Sequence, residues 1–136
     1  MDLGQSPFFG LIRTRLNQLS ERQRLIAENI ANASTPGYKP RDLDTAAFER
    51  ALAEQSGQAG LPMLRTNAMH MSAGGQTPAV NIVTRPDSET TIDGNQVVLE
   101  EEMARASETR MQFETGIALY QKGLQLLRLA AKAPNK

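Results

Sequence analysis

The chain predicts a mainly α fold. Two long helices, one near each end, are expected to pair antiparallel as a coiled-coil-like rod around a small irregular or β-hairpin middle segment. Three observations carry this. Apolar residues recur at alternating three- and four-residue steps from Ile12 to Ala33, and again from Leu99 to Ala131. Between them lies a stretch rich in Gly, Pro, Ser, Thr and Asn. The first pattern marks a helix with a narrow seam facing a partner helix, and the second kind of composition resists regular structure. In domain terms, residues 1–38 and 96–136 form one helical rod unit, and 39–95 form a partly flexible middle segment.

The first helix should start at Ser6-Pro7, with serine as N-cap and proline in the first helical turn. Ile12, Leu16, Leu19, Gln23, Ile26, Ile30 and Ala33 then form the seam, interrupted by Gln23. The helix must stop by Thr35-Pro36-Gly37. Proline lacks the N–H and pushes the preceding residue out of the α region, and glycine after proline suits the positive φ of a type II turn. Asn29 and Asn32, about one turn apart, can bond the backbone groups freed there, with Tyr38 folding back on the helix. This knuckle reads equally as turn packing or as a subunit contact.

A short helix is expected from Asp42 to Glu54 around Ala47, Phe48, Ala51 and Leu52. Val80–Thr84 and Thr90–Ile92 are candidate strands, and Asp93-Gly94-Asn95 a turn. The C-terminal helix gives the strongest pattern: Leu99, Met103, Ala106, Arg110, Phe113, Ile117, Tyr120, Leu124, Leu127 and Ala131. Glu100, Glu101 and Glu102 open it and Arg128 and Lys132 close it, as the helix dipole favours. Gly116 and Gly123 weaken it intrinsically, so it should lean on packing. Arg110 is expected to reach Glu114 or another nearby carboxylate and bury only its stem. Ala118, Leu119, Leu126, Leu129 and Ala130 lie off the seam. That is more apolar surface than one partner helix covers, so neighbouring subunits are expected on it.

Fifteen basic and fifteen acidic residues give zero formal charge, which removes the drive toward nucleic acid. With no cysteine and a single histidine, His70 in Met69-His70-Met71, neither a zinc-thiolate site nor a multi-histidine metal site can be built within one chain. Neither a phosphate-cradling G-x-x-x-x-G-K-[ST] loop nor a G-x-G-x-x-G is present. Asp42, Asp44 and Glu49 read as caps and solvated side chains. No catalytic residue, cofactor or metal is expected. Gly116–Ala131 is too short and too polar to span a bilayer. Met1–Gln5 lacks the basic and apolar regions of a secretory signal, so no cleaved signal peptide is expected.

The string Asn29-Ile30-Ala31-Asn32, followed by Thr35-Pro36-Gly37-Tyr38-Lys39 and Arg41-Asp42, closely resembles the N-terminal signature of bacterial flagellar rod, hook and related axial proteins. Together with Asp93-Gly94-Asn95, Val97, Leu99, Glu102, Met103 and the long final helix, it resembles the proximal-rod type. Ser34 departs from the acidic residue common there. Val98 replaces a capping Asp or Asn, leaving the cap to Asn95 or to local backbone. The resemblance implies a non-enzymatic structural subunit of the basal-body rod. It would be made in the cytoplasm, exported unfolded without a cleaved signal, and assembled into the drive shaft across the periplasm. The implied partners are copies of itself, other rod proteins, and the membrane-ring and export-gate components at the rod base. Ile12, Leu16, Leu19, Ile26 and Ile30, with Phe113, Ile117, Tyr120, Leu124 and Leu127, would then be the assembly helices. The other readings weighed are a free-standing helical adaptor or chaperone-like module, and a small hydrolase centred on His70.

Overall fold

The computed structural model describes residues 7–57 and 80–132. Its elements run α1 (Pro7–Ala31), β1 (Arg41–Leu43), α2 (Thr45–Gly57), β2 (Ile82–Thr84) and α3 (Leu99–Lys132). The expected N-cap Ser6 and the Met69-His70-Met71 triplet lie outside the described residues. The chain divides into two compact units, Met1–Asp42 with Thr84–Lys136, and Leu43–Val83.

In the first unit α1 packs along α3. The pairing is antiparallel: Asn29 meets Glu102, Leu16 meets Gly116, and Phe9 meets both Tyr120 and Gly123. At about 1.5 Å per residue α3 is about 50 Å long. Phe9, Ile12, Leu19, Leu25 and Ile26 are buried on α1, with Gln18 and Asn29 among them. Gln23 is exposed and does not interrupt the seam; the buried polar side chain of that stretch is Gln18, whose Oε1 accepts from Arg15 Nη1 at 2.7 Å.

On α3 the seam is rotated from the one its apolar residues suggest. The row Ala106, Phe113, Tyr120 and Leu127 does turn inward, each partly buried. Its companion row is Glu102, Thr109, Gly116 and Gly123, one residue before the expected Met103, Arg110, Ile117 and Leu124. Glu102 and Thr109 are fully buried, whereas Met103 and Ile117 are exposed. Arg110 also lies outside, donating to Glu114 at 3.0 Å with its side chain 74% exposed, so its stem is not buried. The physical reason is close approach. A Cβ on Gly116 would stand 2.9 Å from Leu16 Cδ2, and one on Gly123 would stand 3.1 Å from the Phe8 ring and 3.2 Å from that of Phe9. The large side chains of α1 therefore fill space that α3 leaves empty, an arrangement that hydrophobic periodicity does not register.

In the second unit Asp44 caps α2, its Oδ1 accepting from the Ala47 N–H at 2.9 Å. Leu43 and Phe48 are the buried side chains among its described residues. β1 and β2 form a two-stranded antiparallel sheet. Its register follows from Arg85 N–H donating to Pro40 O at 2.9 Å and Asp44 N–H to Asn81 O at 2.8 Å. The partner of β2 is thus Arg41–Leu43. The expected strand Thr90–Ile92 does not form, because Thr91 O accepts from the Gly94 N–H and folds those residues into a turn.

Candidate functional site

After α1 the chain reverses through Thr35-Pro36-Gly37-Tyr38, closed by Tyr38 N–H donating to Thr35 O at 3.2 Å. Gly37 has φ 69°, as the third residue of a type II turn requires. Asn32 Nδ2 donates to Glu28 O at 2.8 Å, a second bond to the carbonyl that already accepts from the Asn32 N–H, and its Oδ1 accepts from the Thr35 hydroxyl.

Asn29 uses every hydrogen-bonding position of its amide. Nδ2 donates to Arg41 O at 2.8 Å and to Glu102 Oε2 at 3.2 Å. Oδ1 accepts from the Arg41 N–H at 3.0 Å and from the Tyr38 hydroxyl at 3.1 Å. One side chain, 1% exposed, thereby joins α1, the strand that follows it, and α3.

Asn95 does the same from the other side. Its Nδ2 donates to the carbonyls of Asn32 at 2.9 Å and Thr35 at 2.7 Å, and its Oδ1 accepts from the Val97 N–H at 2.8 Å. Gly37 N–H donates to Asp93 O and Gln96 N–H to Tyr38 O, each at 3.0 Å. Gly94, at φ 81°, lies so close that a Cβ there would be 3.6 Å from Gly37 Cα. The Asn-Ile-Ala-Asn…Thr-Pro-Gly-Tyr string and the Asp-Gly-Asn string are therefore two halves of one knot.

The start of α3 is fixed by residues that sequence reading passed over. Val98 cannot cap with its side chain; its N–H donates instead to Asp87 Oδ2 at 2.8 Å. Arg105 Nη1 bridges Asp87 Oδ1 and Glu102 Oε1, each at 2.5 Å, and Nη2 reaches Glu101 at 3.2 Å. Burial alone would push the Arg105 guanidinium down, but Asp87 and Glu102 together hold it above its ordinary value. Glu102 is pushed up, chiefly by burial, against the lowering pull of Asn29 and Arg105. The spacing of Glu101 and Glu102 to Arg105 was the only local signal; Asp87, distant in sequence, gave none. Asp42 is likewise no solvated carboxylate: it is buried, gripped by Arg22 at 2.9 and 3.0 Å and by Arg85 at 3.3 Å. Around the knot, Ile30 and Tyr38 are half-buried, and Ala31, Thr35, Pro36 and Gly37 are exposed.

The opposite end of the pair has different chemistry. Phe9 packs edge-on against Phe8 and Tyr120, with centroids 5.3 and 5.1 Å apart. Of the expected assembly positions, Ile12, Leu19 and Ile26 are buried inside the pair, and Leu16, Ile30, Phe113, Tyr120, Leu124 and Leu127 are half-buried. Ile117 is exposed. The residues presented outward are others: Met111, Leu119, Leu126 and Leu129, at 63, 49, 59 and 66% exposure. No described helix is long and apolar enough to cross a membrane.

Comparison with known proteins agrees with this anatomy. A family profile described as "Flagella basal body rod protein" matches residues 13–39, most of α1 and the knuckle. The chain is similar to the flagellar basal body rod protein FlgB of Salmonella typhimurium, 31% identical over 76% of this chain and 78% of that one. It is similar to FlgB of Aeromonas hydrophila, 29% identical over 91% of this chain and 92% of that one. With FlgB of Cereibacter sphaeroides the identity is 35%, over 82% of this chain and 83% of that one. At 31% and 35% identity over more than three quarters of each chain, these relatives show that the chain belongs to the FlgB family of flagellar basal body rod proteins.

Proposed function

We propose that this chain acts without catalysis, as a structural subunit of the basal-body rod that motility requires, and that the outer face of α3 is its assembly surface. The observation that carries the reading is the row of exposed aliphatic side chains at Leu119, Leu126 and Leu129 on a helix whose inner face is already occupied by α1. Each large aliphatic side chain left in water forgoes about 1.5–3 kcal/mol of burial, so a subunit that keeps several is built to be covered. The partners would be copies of itself, other rod proteins, and membrane-ring and export-gate components at the rod base. The rod would cross the periplasm, reached by export without a cleaved signal. Torque would pass through lateral packing of the helix pair, with the knuckle keeping α1 and α3 in register. The free-standing adaptor is not favoured, since the relatives are rod proteins.

Replacing the native copy with Leu126→Asp combined with Leu129→Asp tests this. Both positions are exposed, so the helical circular dichroism of the purified chain should match the unsubstituted protein, while swimming in soft agar should be abolished. Normal motility with both aspartates in place would sink the reading.

A further inference from the structure

Asp93-Gly94 is the only Asp-Gly step in the chain, and no Asn-Gly step accompanies it. An aspartate followed by glycine carries a latent reaction of its own backbone. The glycine nitrogen can attack the aspartyl side-chain carbon, because no Cβ on the glycine shields the approach. The bond from Gly94 N to Asp93 Cγ forms, the carboxyl C–OH bond breaks, and the hydroxyl leaves as water with the Gly94 N–H proton. Water then reopens the cyclic imide at either carbonyl. Cleavage at Cγ restores aspartate. Cleavage at the backbone carbonyl gives isoaspartate, with the chain running through Cβ and Cγ. The water lost is returned, and nothing is oxidised or reduced.

In the folded chain both reacting groups are taken. The Gly94 N–H donates to Thr91 O at 2.9 Å, and Gly94 is held at φ 81° against Gly37. Asp93 Oδ1 accepts from the Thr91 hydroxyl and from the Asn95 N–H, the latter at 3.2 Å. Ring closure passes through the neutral carboxyl, which carries the leaving hydroxyl. These two donors favour the carboxylate instead and hold Asp93 below its ordinary value. The side chain is nonetheless exposed, so the reaction is open to it whenever the turn lets go. Asp93 also belongs to the knot. Its carbonyl accepts from the Gly37 N–H at 3.0 Å, and Asn95 next to Gly94 binds the carbonyls of Asn32 and Thr35. Isoaspartate turns the Asp93 carbonyl into a free carboxylate and lengthens the backbone by one atom, which moves Asn95 out of register with the end of α1.

We infer that Asp93 is a self-modification site that the knuckle keeps closed: the chain isomerises there while the knot is open, and the isoaspartate then prevents the knot from closing in its native register. The residue thereby records the time the chain spends with its knot undone. This does not rest on the rod reading.

The test holds the full chain near neutral pH in native buffer and in urea above its unfolding midpoint. Isoaspartate is counted by methyl transfer from an isoaspartyl methyltransferase and located by electron-transfer fragmentation. It should accumulate at Asp93 about tenfold faster or more in urea, since the folded rate is limited by the fraction of chains with the knot open. In native buffer Asn95→Ala should isomerise a few-fold faster than the parent. Thr91→Val, at an exposed position, removes the hydroxyl that holds the carboxylate and should do the same, should Asn95→Ala lose its helical signal. Asp93→Glu, whose longer side chain closes a larger ring more slowly, should stay unmodified in urea. The isoaspartyl chain, separated and refolded, should show a lower urea midpoint than unmodified chain carried through the same steps.

Equal rates at Asp93 in native buffer and in urea, or no isoaspartate there in urea, would overturn the site and its protection. An isoaspartyl chain with the parent's midpoint would overturn the effect on the knot.

Discussion

At the knuckle end of the α1–α3 pair the interface is polar, and almost every polar atom is matched: Asn29, Asn95, Asp87, Glu102 and Arg105 are held by directional bonds of fixed geometry. At the far end the same two helices meet through Phe8, Phe9 and Leu16 set against Gly116 and Gly123, where shape alone decides the fit. A hydrogen-bonded knot tolerates little displacement, because each buried group left without its partner costs about 1–3 kcal/mol. An aromatic-on-glycine contact is non-directional and can slide. The difference indicates a unit whose register is set at one end and whose other end can adjust to what packs on it.

The comparison breaks most readily at Asn29. Asn29→Ala strands the Arg41 backbone groups and one Glu102 oxygen together, and should lower stability by about 3 kcal/mol, read as a fall in the urea midpoint with an unchanged slope. A loss below about 1 kcal/mol would show that the knuckle is not the fixed end.

At the far end Gly123→Val drives a branched side chain into the Phe8 and Phe9 rings. It should cost about 2 kcal/mol by the same measurement, less than the knuckle change because Phe8 is half-exposed and can yield.

Glu102→Gln sharpens the electrostatic side. The Glu102 carboxyl is raised above its ordinary 4.5 in the fold. Its contribution is therefore fully present below that value and is lost as pH rises through the raised one. The variant should gain on the parent as pH rises from the ordinary carboxyl value through the raised one in parallel urea titrations, and a difference that stays constant with pH would contradict the shift. Arg110→Ala, which removes only an exposed pair with Glu114, should change the midpoint by no more than about 0.5 kcal/mol.

Element placement was largely legible. Pro36-Gly37 fixed the reversal, Asp44 opened α2, and the long α3 pattern located its helix, because turn chemistry and helix period act within a few residues. The strand partner of β2 was misjudged. Thr90–Ile92 has β-branched residues, yet its backbone is committed to the Thr91–Gly94 turn, and Arg41–Leu43, three residues long, gives no periodic signal.

The α3 seam was half legible. Ala106, Phe113, Tyr120 and Leu127 face inward as their spacing indicates, while Glu102, Thr109, Gly116 and Gly123 face inward against every hydrophobic expectation. The apolar residues displaced from that seam lie outside, where the proposed assembly would use them.

By itself the sequence determined where the helices run, where the chain reverses, and that apolar surface exceeds what one helix pair can bury, since these depend on local backbone preference and composition. Only the tertiary structure decided which face of α3 meets α1, and that two asparagines tie the end of α1 to the start of α3. It also brought in Asp87 to hold the α3 N-terminus that Val98 cannot cap. Those outcomes depend on the distance between residues far apart in the chain, and on room left by glycines that no hydropathy pattern records.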